Sequence, residues 1–198
     1  MDKIAITISR QFASMGRSIA EELSNIMNIE YLDRDIVEET AKRMNATVPQ
    51  ISKEEEDIAS AYAYRIYPLG IGVPSIKDDI FNVQQSIIQD YAHKESCIIV
   101  GRCGGYCLKD HPKLLKVYIY APYEDRLKNC IERLGMSEKV AIKTIAAVDK
   151  ARENYHRTYI PNYQNATEYN DLCINSSSYS IKEAAMLIKN AAELKFGI

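Results

Sequence analysis

Residues 3–8, "KIAITI", place β-forming apolar residues in near alternation, a spacing that predicts a first strand. From Gly16 to residue 28 the apolar residues Ile19, Leu23, Ile26 and Met27 recur at helical spacing. "IEYLD" (29–33) reads as a short second strand, followed by a helix from about Asp33 to Met44. Ser52 with Glu55 is a capping-box signature for another helix, and the Tyr-, Gly- and Pro-rich stretch 61–75 reads as a loop or irregular lid. Ile80, Gln84, Ile87, Ile88 and Tyr91 mark one face of a helix ending near Lys94. "SCIIVGR" is the continuous apolar run of a strand buried on both faces, and "LKVYIYA" (115–121) is a further strand. A helix over 124–135 closes at Gly135; a long one from Ser137 to about Tyr159 carries Val140, Thr144, Val148, Ala151 and Tyr155 as its stripe. "LCINS" (172–176) is a last strand, and Ser180 with Glu183 caps a final Ala-rich helix.

Strands separated by helices predict an α/β domain whose mainly parallel sheet is covered on both faces. Ligands of such sheets gather at the carboxyl ends of the strands. Chemistry is therefore expected in "SRQFASMGR", "DRD", "GRCGG" and "APYEDR", the segments that follow the first four strands.

Composition narrows this picture without redirecting it. At 198 residues the chain is most simply one domain, with 46% hydrophobic and 26% charged residues, as in soluble globular proteins. A net charge of −2 lacks the basic surplus of a dedicated nucleic-acid binder, although local basic clusters can hold a small phosphate ligand. No apolar stretch approaches the roughly 20 residues needed to span a bilayer, and the chain enters its first strand without a signal-like segment. Five scattered cysteines without a CxxC pair, and three histidines far apart, argue against structural zinc or disulfides and for a reducing cytoplasm.

The segment "RQFASMGRSIAEEL" lies where a strand hands over to a helix. Free backbone N–H groups and the helix dipole make that junction a phosphate seat, with Ser14, Met15, Gly16, Arg17 and Ser18 as its candidate residues. In the pattern GxxxxGK[ST], Gly16-Arg17-Ser18 take the last three places and Gln11 stands where the first glycine belongs. Arg17 is suited to bidentate contact with phosphate, and the Ser18 hydroxyl to Mg²⁺. The competing reading is that Gly16 eases a strand-to-helix turn and Arg17 is solvated.

"ITISRQFASMGRSIAEEL", "YLDRDIVEETAKR", "CIIVGRCGGYCL", "VYIYAPYEDRLKNCIERLGMS", "DKARENYHRTYI" and "LCINSSSYSIKEAAMLI" follow one another in an order that resembles the cytidylate kinase-like family. The resemblance implies a P-loop NTPase fold with a five-stranded parallel sheet, helices on both faces and a helical lid. It implies a single nucleoside-monophosphate-kinase-like domain: a core over about 1–30 and 95–198, an acceptor-binding insert over about 31–94 and a lid over about 133–160. The implied reaction is transfer of the γ-phosphoryl of ATP, with Mg²⁺, to a monophosphate acceptor, which depends on positioning and charge neutralisation.

The family's arginines map onto this chain residue by residue. Gly101-Arg102 carries the acceptor arginine over, with Cys103 in place of the usual acid. Asp33 and Arg34 stand where the acceptor region begins, Asp33 being equally suited to cap a helix. Asp149 and Arg152 reproduce the lid's Asp-x-x-Arg, with Arg157 beyond them and Ile145 where a further arginine belongs. Arg126 and Arg133 lie two turns apart on the preceding helix, near adenine or phosphate in the relatives. Surface ion pairs and solvated helix faces are the competing readings for these arginines. Tyr62, Tyr64 and Tyr67 form either an acceptor wall, packing or a self-association patch, and Cys103 and Cys107 read as buried small residues.

Three departures bear on turnover. Ala13-Ser14-Met15-Gly16 replaces the relatives' Gly-Ser-Gly-Gly, the lysine is absent, and no aspartate ends the third strand. The leading expectation is an ATP-dependent phosphotransferase; the alternative is a nucleotide-binding or sensing protein that keeps the kinase fold without turnover. Partners are a nucleotide and a small phosphorylated acceptor, with neither nucleic acid nor membrane, in a monomer or homodimer.

Overall fold

A computed structural model of the protein describes residues 3–51 and 76–198. Ser52, Glu55 and the tyrosines Tyr62, Tyr64 and Tyr67 lie outside the described residues. In chain order the elements are β1 (Ala5–Arg10), α1 (Gly16–Met27), β2 (Glu30–Leu32), α2 (Arg34–Arg43), α3 (Ile76–Lys94), β3 (Cys97–Val100) and α4 (Gly104–Cys107). They continue with β4 (Leu114–Tyr120), α5 (Tyr123–Glu132), α6 (Glu138–Tyr159), α7 (Ala166–Tyr169), β5 (Leu172–Asn175) and α8 (Ile181–Phe196).

All five strands are parallel, in the order β2-β3-β1-β4-β5, so β1 is central and flanked by β3 and β4. The apolar runs are explained by burial on both faces. Ile6, Ile8, Ile98, Val117 and Ile119 face one side, where they pack with Ile19 and Leu23 of α1 and Ala184 and Ile188 of α8. Ala5, Cys97 and Ile99 face the other, against Ile36 of α2 and Phe81, Ile87 and Ile88 of α3. Because strand side chains alternate, one uninterrupted run feeds both layers.

Local chemistry sets the helix ends. α1 closes at Asn28 in the left-handed region, and α8 opens with the complete capping box of Ser180 and Glu183. α2 starts one residue later than expected, and Asp33 at its N-cap position makes no side-chain capping bond. α5 stops at Glu132, short of Gly135. Only the start of the stripe expected on α6 is shifted by one position: Ala141 and Ile145 are buried there and Val140 is exposed, whereas Tyr155 packs against the core as expected. Both stripes are apolar at the same spacing; packing chose Ala141 and Ile145, which close on Cys130, Leu127 and the loop residues Phe12 and Ala13. The four-residue helices α4 and α7 are too short to leave a periodic trace in sequence. Among the described residues no helix is long and apolar enough to cross a membrane.

Candidate functional site

The carboxyl ends of β1 and β3 carry two loops of strained backbone. Ala13 and Met15 take φ of 57° and 61°, and Gly101, Arg102 and Cys103 form a consecutive left-handed run at 79°, 53° and 50°. The other non-glycine residues described with positive φ, Asn28, Asn45 and Asn162, are of the type that tolerates it. Ala, Met, Arg and Cys do not, at about 1–2 kcal/mol each. The backbone distortion is thus concentrated where the sheet meets the candidate ligand.

The first loop is fastened by the helices above it. Phe12 N–H donates to Asp149 Oδ1 at 2.7 Å, and the Asn129 amide donates to Ala13 O at 3.0 Å. Arg126 is almost fully buried; it pairs with Asp149 and donates to Phe12 O at 3.3 Å. Arg152 donates to Arg10 O at 3.0 Å. Ser14 turns its hydroxyl inward to Gln11 O and Ile119 O. No side chain caps α1 and its first turn contains no acid, so the helix places no carboxylate of its own at that positive end.

Arg10, the last residue of β1, is the hub of the site. Its side chain is 19% exposed and crosses Gly16: a Cβ there would lie 2.8 Å from Arg10 Cβ. Its guanidinium reaches the second loop, where a Cβ on Gly101 would lie 2.4 Å from Nη1. Arg10 and Arg152 line an open cleft of about 320 Å³ with Gln11, Tyr118, Asp149 and His156. Burial, reinforced by repulsion from Arg152 and Arg102, pulls the Arg10 proton affinity down to about 9, leaving it charged at neutral pH. Burial also lowers that of Arg152, with Asp149 opposing and Arg102 adding to the effect.

The expected site residues divide accordingly. Arg102 and Arg152 are brought within electrostatic range of one another, with Arg10 between. Arg17 is 63% exposed and turned toward β2, with Nε 3.0 Å from Asp33 Oδ2 and 3.2 Å from the Tyr31 hydroxyl. Asp33 is therefore a buried ion-pair partner, 3.8 Å from Arg10 on its other side. Asp149 engages Arg126 and the loop, whereas Arg152 binds the Arg10 carbonyl. Ser18 is half-buried in the first turn of α1, Arg34 is exposed at the start of α2, and Met15 packs on the core. Arg133 is exposed beyond α5, and Arg157 pairs at the surface with Glu153 and Gln164 O, so neither joins the cluster.

The model of the cytidylate kinase-like family matches residues 5–178, most of the chain. The chain belongs to the cytidylate kinase-like family. Among solved structures it is similar to an uncharacterized protein from Eubacterium ventriosum, at 25% identity and TM-score 0.73, covering 96% of this chain and 99% of that one. Shikimate kinase from Acinetobacter baumannii, solved with shikimate, shares the fold at 13% identity and TM-score 0.54 over 96% and 92% of the two chains. A sugar kinase from Janibacter sp. does so at 12% and 0.55, over 99% and 95%. No curated protein sequence matches at a significant level. The fold is that of the P-loop kinases.

Two residues of this cytidylate kinase-like chain escaped sequence reasoning. Arg10 sits before the motif, and only the two glycines that it crosses could have signalled it. His156 sits one turn beyond Arg152 and lines the cleft, its Nδ1 3.4 Å from the Tyr163 hydroxyl. Burial first, then Arg10 and Arg152, depress its pKa to about 4. Cys103 and Cys107 are buried as expected, and burial pushes the Cys107 thiol up to about 12.

Ala13→Gly relieves one left-handed side chain and is expected to raise unfolding stability by about 1 kcal/mol, read by denaturant titration. An unchanged or lower midpoint contradicts strain at this position. His156 has the reverse sign from a salt-bridged histidine. Its folded pKa, about 4, lies below the unfolded value of 6.5, so only the unfolded chain takes the proton between them. That preference for the folded state is complete above pH 6.5 and is lost as pH falls toward 4, costing about 1–3 kcal/mol. The melting temperature of His156→Gln should therefore fall less between pH 7 and pH 5 than that of the unaltered chain; equal falls contradict the assignment.

Proposed function

We propose that the chain is an ATP-dependent phosphotransferase that moves the γ-phosphoryl group to a nucleoside monophosphate or a similar small phosphorylated acceptor. The observation that carries this reading is the course of Arg10, whose stem crosses Gly16 at the start of α1 while its guanidinium reaches the Gly101-Arg102 loop and its carbonyl holds Arg152. Among the described residues, two carboxylates near Arg10 and Arg152, Asp33 and Asp149, are each shared with another arginine, Arg17 and Arg126. The cluster is therefore complementary to a dense anion, as phosphoryl transfer requires. Membership of a kinase-like family supports the same class of reaction.

In this reading the polyphosphate rests on the backbone of Ser14, Met15, Gly16, Arg17 and Ser18. Arg152, held by its bond to the Arg10 carbonyl, stabilises charge on the transferring group, and Asp149 keeps the lid helix on the loop. Gly101 and Arg102 of the core face the acceptor from the end of β3, and Asp33 and Arg34 from the end of β2, where an acceptor-binding insert over about 31–94 begins. The lid over about 133–160 closes above them, with Arg126 fixing its register on the first loop.

The residues fit a polyphosphate better than a cation held by protein ligands alone. Among the described residues no group of three potential ligands is assembled for a metal ion. Mg²⁺, when bound, neutralises charge across phosphates that supply most of its ligands, and Ser18 is this chain's contribution.

A second reading, nucleotide binding or sensing without turnover, is favoured by one observation: Arg17, at the lysine's place, turns to Asp33. ADP release from MgATP with a panel of nucleoside monophosphates separates the two. The phosphotransferase reading predicts steady release, lowered about 100-fold in kcat by Arg152→Ala with the fold retained. ATP binding by calorimetry without release for any acceptor selects the second reading, and absence of nucleotide binding removes both.

A further inference from the structure

Arg10 belongs to no part of the phosphate-binding pattern, yet two glycines make room for it. Gly16 is helical and needs no special φ; what forbids a side chain there is the Arg10 stem, 2.8 Å from the would-be Cβ. Gly101 keeps its guanidinium's path open on the opposite side. Arg10 ends the central strand, so this path runs along the carboxyl edge of the sheet between the two strained loops.

We propose that Arg10 substitutes for the missing phosphate-binding lysine, its guanidinium reaching from the end of β1 across Gly16 to meet the terminal phosphates of the bound nucleotide. The inference rests on the phosphotransferase reading and adds to it a positively charged residue that the motif does not contain. The residue at the lysine's own place is poorly disposed to meet those phosphates, because Arg17 is mostly exposed and engaged with Asp33 and Tyr31. Asp33 serves both arginines, one carboxylate oxygen 3.0 Å from Arg17 Nε and the other 3.8 Å from Arg10, so one negative charge is shared between two cations. Arg10 thus lies in a poorly hydrated position beside two like charges, Arg152 and Arg102, with this shared carboxylate opposite them. Burying a cation beside cations is costly unless an anion joins them, and a triphosphate supplies one with the acceptor oxygens that a guanidinium grips in bidentate fashion. A lysine at residue 17 would reach the seat from the helix; an arginine at residue 10 reaches it from the strand, past a glycine where a Cβ would meet its stem.

The test uses the full chain, with Arg10→Met to keep the stem without the charge, Arg10→Lys to restore a cation, and calorimetry with tripolyphosphate, ATP and AMP. Melting curves establish that each variant is folded. Arg10→Met is expected to weaken tripolyphosphate and ATP by about 30-fold and AMP by no more than about threefold, with Arg10→Lys recovering part of the loss. A purely space-filling Arg10 would not separate ATP from AMP in this way, so Arg10→Met binding tripolyphosphate as the unaltered chain does overturns the proposal. Should Arg10→Met not fold, side-chain ¹⁵N NMR of the unaltered chain decides. The Arg10 Nε resonance shifts when tripolyphosphate binds, and a silent resonance under saturation overturns the assignment. Failure of the unaltered chain to bind tripolyphosphate and ATP at all is a separate result, which removes the phosphotransferase reading and this proposal together.

Discussion

The mutual repulsion of Arg10, Arg102 and Arg152 is the constraint around which the rest of the site is organised. Three guanidiniums cannot be gathered in a partly dehydrated crevice unless rigid elements hold them, because each would otherwise swing out to water. The sheet supplies that rigidity. Arg10 ends the central strand, Arg102 follows its neighbour β3, and Arg152 is pinned from above by the Arg10 carbonyl. Both layers of aliphatic packing serve this geometry, since a strand buried on two faces can neither tilt nor slide to relieve the charge.

The strained backbone of the two loops borders the same side chains. Left-handed Ala13 and Met15 turn the chain sharply out of β1, and the run from Gly101 to Cys103 does so out of β3, leaving the space between them to the Arg10 side chain. The distortion persists because the surroundings over-determine it: Asp149, Arg126 and Asn129 grip the loop backbone at residues 12 and 13, and Ile145 packs against it. Ile145 shows how a changed residue alters wiring. Where the family pattern has a further lid arginine, this chain packs an aliphatic side chain onto the loop, so the lid is joined to the seat by packing as well as by charge.

How much of this was legible in sequence differs between fold and site. The strands and most helices were, because buried parallel strands leave unbroken apolar runs and amphipathic helices leave a 3.6-residue rhythm. Motif order singles out Arg102 and Arg152, which the fold brings within electrostatic range of each other. Arg10 was not legible: a residue at a strand end carries no periodic signal, and its role depends on glycines 6 and 91 positions away. His156 was hidden for a similar reason, since its low pKa arises from arginines contributed by two different elements. Arg126 and Arg133, equally spaced on one helix, part in burial: Arg126 is sunk against the first loop, whereas Arg133 at the C-cap of α5 is exposed. Asp33 misled by its position. Its place before α2 suggests a cap, but an arginine on each side outcompetes the helix amides for its carboxylate.

The altered first loop and the arginine cluster are parts of one arrangement. A loop poor in glycine approaches phosphate less closely through its backbone, and in the proposed function the neighbouring guanidiniums extend the seat outward to meet it. The most direct measurement is a crystal structure with a non-hydrolysable ATP analogue. The analogue's terminal phosphates are predicted to lie between the first turn of α1 and the guanidiniums of Arg10, Arg102 and Arg152. An analogue bound elsewhere, with those three side chains making no contact to it, would contradict this arrangement.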